Sequence, residues 1–393
     1  IEKIPSDFKE LIIKHSSGNP FFTEEIIKSF IDEGILVKVG ENWESTRSVA
    51  SLTIPSSVEG VLRSRLDKLP VHEKKIIQNA AIIGKIFWYN ILRSITDFTV
   101  DDSLENLEDK DLVVKKDTSE FLEDTEYYFK HILIQEVAYK SILQKIRRQV
   151  HKNIAEILEK KQLRGEQFIT LIAFHFEQAG ILDKAAEFYL ILGKSQKGKN
   201  LNKEALESYS RVIDFKDRIP FNQYFNATLG ISSIYSITGE NRRAIKILEE
   251  LLEKITDKER RLEIYHEIAE NYMRLSDYKK AQEYLEFEMG NVAPEDYRFK
   301  IKIYNSIAWI NYLQGNNFKL KEFAEMSFDL FKEKKEIFNY EEGLTIQTRI
   351  YNLMGVYYGL RFVLPIMKKQ NYGKIVNTAS VAGILGLENQ SPY

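Results

Sequence analysis

The chain has 393 residues, with 56 basic and 58 acidic side chains, a formal net charge of -2, 29% charged and 44% hydrophobic residues. That length is the prior for two or three domains, and the even charge balance argues against a dominant nucleic-acid surface. There is no cysteine, which excludes disulfides, thiol nucleophiles and thiolate metal sites and favours a cytoplasmic location.

No apolar run approaches the ~20 residues of a membrane-spanning helix, so no membrane contact is expected. The chain starts at Ile1 and not at Met, so an upstream segment is expected. Asn19 and Pro20 read as the cap and first turn of a helix from about Phe21 to Glu33, ended by Gly34. The stretch from Ile35 to Val39 and the region around Trp43 read as a short strand pair turning at Gly40. Ser56 and Glu59 have capping-box spacing and open a helix to about Leu69, stopped by Pro70. Helices are predicted over about Val71–Ile83, Phe87–Thr96 and Asp101–Glu108, then strands at Leu112–Lys115 and Tyr127–Phe129. Four helices followed by two strands predict a small winged-helix domain at about 55–130. The acidic run between Glu120 and Glu126 reads as a solvated loop.

Ile134, Ala138, Ile142, Ile146 and Val150 recur every fourth residue, predicting one buried helical face, with Arg147, Arg148, His151 and Lys152 mostly on others. From about 167 the pattern repeats. Gly180 precedes Ala185 by five residues. Tyr235, Gly239, Ala244 and Leu248 are spaced by 4, 5 and 4, as are Tyr272, Ser276, Ala281 and Leu285. Ala308, Gly315, Leu320 and Ala324 form a weaker copy, and Ala205, Ala244 and Ala281 lie 39 and 37 apart. Tyr235 and Tyr272 fall at packing positions. This pattern resembles the tetratricopeptide repeat, a helix pair that must stack on its neighbours to bury its apolar face. The fold class expected is therefore mainly α: a small winged-helix domain, then an α-solenoid of tetratricopeptide-like hairpins, with a short α/β fragment at the C-terminus.

Several stretches in order extend the resemblance: Ser17 to Glu25, Ile54 to Leu69, Ala80 to Phe87, Tyr128 to Tyr139, and Arg147 to His151. Together they resemble the back half of the signal-transduction ATPases with numerous domains. In that family such modules follow an AAA-type nucleotide-binding domain and often accompany adenylate cyclase, kinase or transcription-activator domains. The resemblance implies a lid remnant over 1–54, a winged-helix domain with connecting helices over 55–160, and repeats over 161–350. It implies signal transduction through protein or peptide binding by the repeats, with ATP and magnesium as cofactors of the full-length family. By resemblance, Gly18 and Pro20 match the glycine-any-proline element near the adenine. No Gly-x4-Gly-Lys-[Ser/Thr] occurs, so no phosphate-cradling loop is present, and no cofactor is expected for this chain. His15, His72, His151, His175 and His266 have no partner at metal-ligand spacing, so no metal site is expected, and His131 reads as a packed or capping residue. Arg63, Arg65 and Lys68 are interrupted by Glu59 and Asp67, so a spacer role is preferred to DNA binding and nucleic acid is not an expected partner.

Residues 351–393 resemble part of a short-chain dehydrogenase. Asn352 lies in an Asn-x2-Gly setting, 28 residues before Ser380, and Ser380 precedes Tyr393 by 13. By resemblance these three are the relay asparagine, the substrate-binding serine and the proton-transferring tyrosine, and NAD(P) is the cofactor of a complete domain. The Gly-x3-Gly-x-Gly turn is absent upstream, and the family's lysine four residues beyond Tyr393 has no counterpart. The chain as it stands is therefore expected not to be an enzyme. The octet from Tyr351 to Tyr358 also fits the first helix of another repeat, so Asn352 has two readings.

Overall fold

The computed structural model describes residues 4–40, 42–49, 52, 54–116, 124–161, 165–339, 343, 346–347 and 349–355. They form two compact units, Ile1–Leu192 with Asp217–Ile219, and Gly193–Lys216 with Pro220 onward. Among the described residues the architecture is mainly α, with short strands in the first unit only.

The first unit opens with helices α1 (Ser6–Ser16) and α2 (Pro20–Asp32) and the antiparallel hairpin β1 (Leu36–Val39) and β2 (Asn42–Ser45). Asn19 caps α2 by accepting from the Phe22 N–H at 3.2 Å, and Pro20 takes the first helical position. Phe8, Ile12, Phe22, Ile26, Phe30, Ile35 and Leu36 bury one another, with Phe8 edge-on to Phe30. Helix α3 (Val58–Asp67) is capped one residue later than the capping-box spacing predicts. Ser57, not Ser56, accepts from the Gly60 N–H at 3.1 Å, and Glu59 faces Lys140 at 3.8 Å.

Next come α4 (Val71–Ile83), β3 (Ile86–Trp88), α5 (Tyr89–Ser94), α6 (Asp101–Asp109), β4 (Val113–Lys115) and β5 (Glu126–Phe129). The sheet is antiparallel in the order β3-β5-β4. Strand β3 corrects the sequence reading, which began a helix at Phe87. Three residues are too few to show a period of two, but Phe87 is fully buried against Tyr127 and Phe129 while Ile86 faces out. The acidic run is corrected too. Asp124 and Glu126 are buried: Asp124 accepts from the Asn90 N–H at the start of α5, and Glu126 pairs with Lys116 at 2.9 Å.

Helices α7 (Ile132–Lys140) and α8 (Gln144–Lys160) break the fourfold apolar series. Ile134, Ala138 and Ile142 are buried, but Ile146 is exposed, because the chain turns between the two helices. The face of α8 that is buried carries His151, Ile154, Ala155 and Leu158 instead. Helix α9 (Glu166–Ala179) pairs with α8, and α10 (Leu182–Gly198) follows.

The second unit continues with α11 (Asn202–Asp214), α12 (Phe221–Ile237), α13 (Asn241–Leu252), α14 (Lys258–Arg274), α15 (Tyr278–Asn291), α16 (Tyr297–Leu313) and α17 (Asn317–Glu333). Each pair α12/α13, α14/α15 and α16/α17 is a hairpin, and successive hairpins stack. The spacing read from the sequence has a backbone cause. Gly180, Asn200, Gly239, Ser276 and Gly315 all adopt positive φ, between 60° and 86°. After each, the next N–H reaches back five residues: Ile181 to Phe176, Leu201 to Gln196, Glu240 to Tyr235, Asp277 to Tyr272, and Asn316 to Asn311. This is the left-handed helix stop that satisfies carbonyls at a helix C-terminus. Five residues beyond each left-handed residue, Ala185, Ala205, Ala244, Ala281 and Leu320 are fully buried, where the second helix crosses the first.

One close approach has no counterpart in the sequence pattern. Tyr209 lies against the backbones of α10 and α12 at Gly193 and Gly230, where an added Cβ would stand 2.7 Å and 2.5 Å from its ring.

Candidate functional site

Gly18, just ahead of α2, and Pro20, its first residue, are exposed, Gly18 with φ 80°. The neighbouring Phe21 ring stacks on His131 at 3.8 Å, and His131 also caps α7 by accepting from the Leu133 N–H. Helix α2 is clamped from behind by a buried ion network. Arg65 donates to Glu25 at 2.5 Å, to Asp32 at 2.9 Å and to the Lys110 carbonyl at 3.1 Å, with both Arg65 and Glu25 almost wholly buried. Lys28 pairs with Asp111 at 3.1 Å beside it.

Asn352 is exposed on the helical residues 349–355. Ile350 of that stretch is buried with Ile301 and Phe331, and Leu353 with Ala308, Leu320 and Ala324, so it packs as a further layer on the last hairpin. Ser380 and Tyr393 lie outside the described residues. No group of three or more His, Asp or Glu among the described residues could hold a metal ion. Among them no helix is long and apolar enough to cross a membrane.

Two histidine clusters went unseen in the sequence because their partners are distant along the chain. In the first unit, His151 Nδ1 and His175 Nδ1 are 2.8 Å apart, and Tyr139 Oη is 3.0 Å from His151 Nε2. His175 Nε2 faces the Ile83 carbonyl without a well-formed hydrogen bond. A single proton polarity serves all three contacts: Tyr139 donates to His151 Nε2, His151 Nδ1–H donates to His175 Nδ1, and His175 Nε2–H points at the carbonyl. Burial, reinforced by Arg147, lowers His151 to about 4; burial and His151 lower His175 to about 3.

In the second unit, the first helices α12, α14 and α16 of successive hairpins are joined by polar rungs. Ser236 donates to Asn271 at 2.6 Å, Ser306 donates to Glu270 at 3.1 Å, and Lys302 lies 3.9 Å from Glu267. Beneath them His266 and Glu288 are fully buried, with Nδ1 and Oε2 3.0 Å apart, and Ser306 Oγ lies 3.4 Å from His266 Nε2. Burial raises Glu288 to about 9 against the opposing charge of Lys302, and burial together with Lys302 and Arg349 holds His266 well below its usual value. The pair is thus neutral at pH 7, with the carboxylic acid donating to the imidazole.

The face above this pair is unevenly charged. Helix α12 has no charged residue in its 17 positions. On one side of it Lys197, half-buried at the end of α10, donates to Ser233 at 3.2 Å and has no carboxylate within ion-pair distance among the described residues. Burial lowers its pKa, only partly offset by the more distant Glu267. On the other side α14 presents Glu263, Glu267 and Glu270 at successive turns. Glu263 makes no hydrogen bond or ion pair among the described residues, and burial raises its pKa, with Lys302 and Arg260 opposing and Glu267 adding to the shift. Its side chain is exposed.

The family model for short chain dehydrogenases matches residues 334–393, overlapping the helical stretch packed on the last hairpin. An uncharacterized protein of Rhizobium meliloti (strain 1021) is 26% identical over 205 residues, covering 51% of this chain and 19% of that protein. Levodione reductase of Leifsonia aquatica is 60% identical over 42 residues, 11% of this chain and 16% of the reductase. The chain therefore spans less than a fifth of the length of either curated relative. Among solved structures, the Signal Transduction ATPase with Numerous Domains protein with a tetratricopeptide repeat sensor from Pyrococcus horikoshii aligns with a TM-score of 0.48 and 18% identity, over 91% of this chain and 52% of that one. A Rap protein complexed with competence and sporulation factor aligns with a TM-score of 0.39 and 13% identity, over 81% of this chain and 88% of that one.

Proposed function

We propose that this chain is the regulatory, partner-binding region of a signalling ATPase, in which a winged-helix element and a tetratricopeptide-like solenoid couple nucleotide-dependent switching to an output domain. The observation that carries this reading is the face of α12, α14 and α16: a row of first helices joined by polar rungs, flanked by Lys197 of α10 and carrying Glu263 of α14, neither of which is in an ion pair among the described residues. Stacked hairpins of this kind curve, and the side lined by the first helices is an extended binding surface. The order α4, β3, α5, α6, β4, β5 with sheet order β3-β5-β4 supports the winged-helix reading of part of residues 55–160. The Arg65 clamp supports a lid role for residues 1–54, because motion of α2 would be felt at α3 and at the turn after α6.

This reading assigns no catalysis to the described residues. Ser306, His266 and Glu288 have the hydroxyl–imidazole–carboxyl order of an acyl-transfer triad. Yet Ser306 is buried and donates to Glu270, and Glu288 is uncharged, so packing accounts for the arrangement. DNA binding is disfavoured on charge. Helix α6, which a winged helix would present to the groove, carries Asp101, Asp102, Glu105, Glu108 and Asp109 and no basic residue. The dehydrogenase reading is favoured by the family-model match over 334–393 and by the 42-residue likeness to levodione reductase. The described residues ahead of it form helical hairpins, not the parallel sheet that positions a dinucleotide.

The test is selection of a displayed random-decamer library on the full chain, with Ser233→Trp as a face-blocked control. Peptides that bind the wild type and lose binding to S233W support the reading; no binders, or binders indifferent to S233W, remove it. Quenching of NADH fluorescence by the chain would revive the oxidoreductase, and salt-dependent duplex binding the DNA reader.

A further inference from the structure

We propose that the face of α12, α14 and α16 binds an extended peptide carrying an acidic and a basic side chain about three to six residues apart, the acid against Lys197 and the base against Glu263 and Glu267. The proposal rests on the reading of this face as a peptide-binding surface and adds its charge order.

Lys197 is half-buried with a hydroxyl as its one hydrogen-bond partner among the described residues. An ammonium taken partly out of water without a carboxylate is unfavourable in the free protein, and a ligand carboxylate relieves that cost. On α14 the converse holds. Glu263 and Glu267 are four residues apart on one helix, a like-charge pair that weakens the helix. Lys302 approaches Glu267 at only 3.9 Å, and Glu263 has no ion pair among the described residues. The uncharged α12 contributes no charge of its own between them, and Glu267 attracts Lys197 without coming within ion-pair distance of it. Its Ser233 and neighbouring polar side chains are suited to a peptide backbone.

The separation follows from packing. Adjacent helix axes are about 8–10 Å apart, so α10 and α14 are separated by roughly 16–20 Å. An extended chain rises about 3.3 Å per residue, which gives five or six residues, shortened to about three when the side chains lean inward.

The test repeats the decamer selection on the full wild-type chain, on Lys197→Met and on Glu263→Gln/Glu267→Gln. The wild type is expected to enrich peptides with Asp or Glu and Lys or Arg three to six positions apart. K197M is expected to lose the acidic preference and keep the basic one, and the double glutamine variant the reverse. A synthetic wild-type winner should bind each variant about tenfold more weakly, the effect of one charge-assisted hydrogen bond, and Lys197→Arg should restore it. Circular dichroism and melting identical to wild type show that each variant is folded; should K197M not fold, K197R and the glutamine variants carry the test. Winners without an acid–base pair, or a winner whose affinity is indifferent to Lys197 and to the two glutamates, overturn the charge order while leaving peptide binding standing. A selection that yields no binder overturns both.

Discussion

Acidification should unfold the first unit through two histidines. His151 and His175 are 1% and 0% exposed and are held neutral, with pKa values lowered to about 4 and about 3 from an ordinary 6.5. A base whose folded pKa is depressed supports the fold fully above its unfolded pKa and loses that support as the pH falls toward the folded value. The window here is therefore pH 6.5 down to about 4. By pH 5 the unfolded imidazoles are almost all protonated and the folded ones are not, so each costs about 2 kcal/mol and the two together about 4 kcal/mol, relative to pH 7.5. The unit can be read alone. Trp43 and Trp88 lie in the first unit and Trp309 in the second, so a Trp309→Phe background makes tryptophan fluorescence a reporter of the first unit. Urea midpoints from pH 7.5 to 5 should fall steeply in that background. In His175→Leu about half of the slope should disappear, and in His151→Leu/His175→Leu nearly all of the part due to this pair. An unchanged pH slope in the double variant would refute the argument, because the exposed groups are the same in both proteins.

Four further outcomes follow from the packing and charge of named residues. Glu288→Gln should stabilise the second unit at pH 7 and above, because a carboxyl held to about 9 disfavours the folded state increasingly as pH rises from 4.5; a gain of about 1 kcal/mol per pH unit through that window is expected in pH-dependent urea melts read at Trp309. Gly230→Ala should destabilise by about 1–3 kcal/mol despite alanine's better helix propensity, since its Cβ meets the Tyr209 ring at 2.5 Å; a double-mutant cycle with Tyr209→Leu should show the cost relieved. Arg65→Met should cost about 3–5 kcal/mol by leaving the buried Glu25 with only Lys28, 4.0 Å away, whereas Arg65→Met/Glu25→Leu should recover most of it in urea melts. Ser276→Gly should raise stability by about 0.5–1 kcal/mol in thermal melts, because Ser276 holds a φ of 60° that glycine adopts freely.

The repeats were legible because their signal is a backbone event that recurs. A left-handed residue must follow each first helix, and a small or buried residue must sit five positions on; Gly239 with Ala244 and Ser276 with Ala281 show both needs in the sequence. Asn200 belongs to the same series, but asparagine is common enough in turns that only its φ of 60° reveals it. What the sequence concealed depends on contacts between distant positions. Nothing local marks Gly193 and Gly230 as the two walls that admit Tyr209, and nothing local pairs His151 with His175 or His266 with Glu288. Strand β3 was hidden for a different reason: three residues give too short a pattern, and Ile86–Trp88 becomes a strand only because β5 offers it a partner. The candidate binding face lies between these cases. The absence of charge in α12 and the series Glu263, Glu267 and Glu270 of α14 are written in the sequence. Their meaning is not, because an uncharged helix and an acidic one acquire a joint function only when the fold sets them side by side with Lys197 at the far edge. Charge order across helices, unlike charge order along one, is a property of the stack.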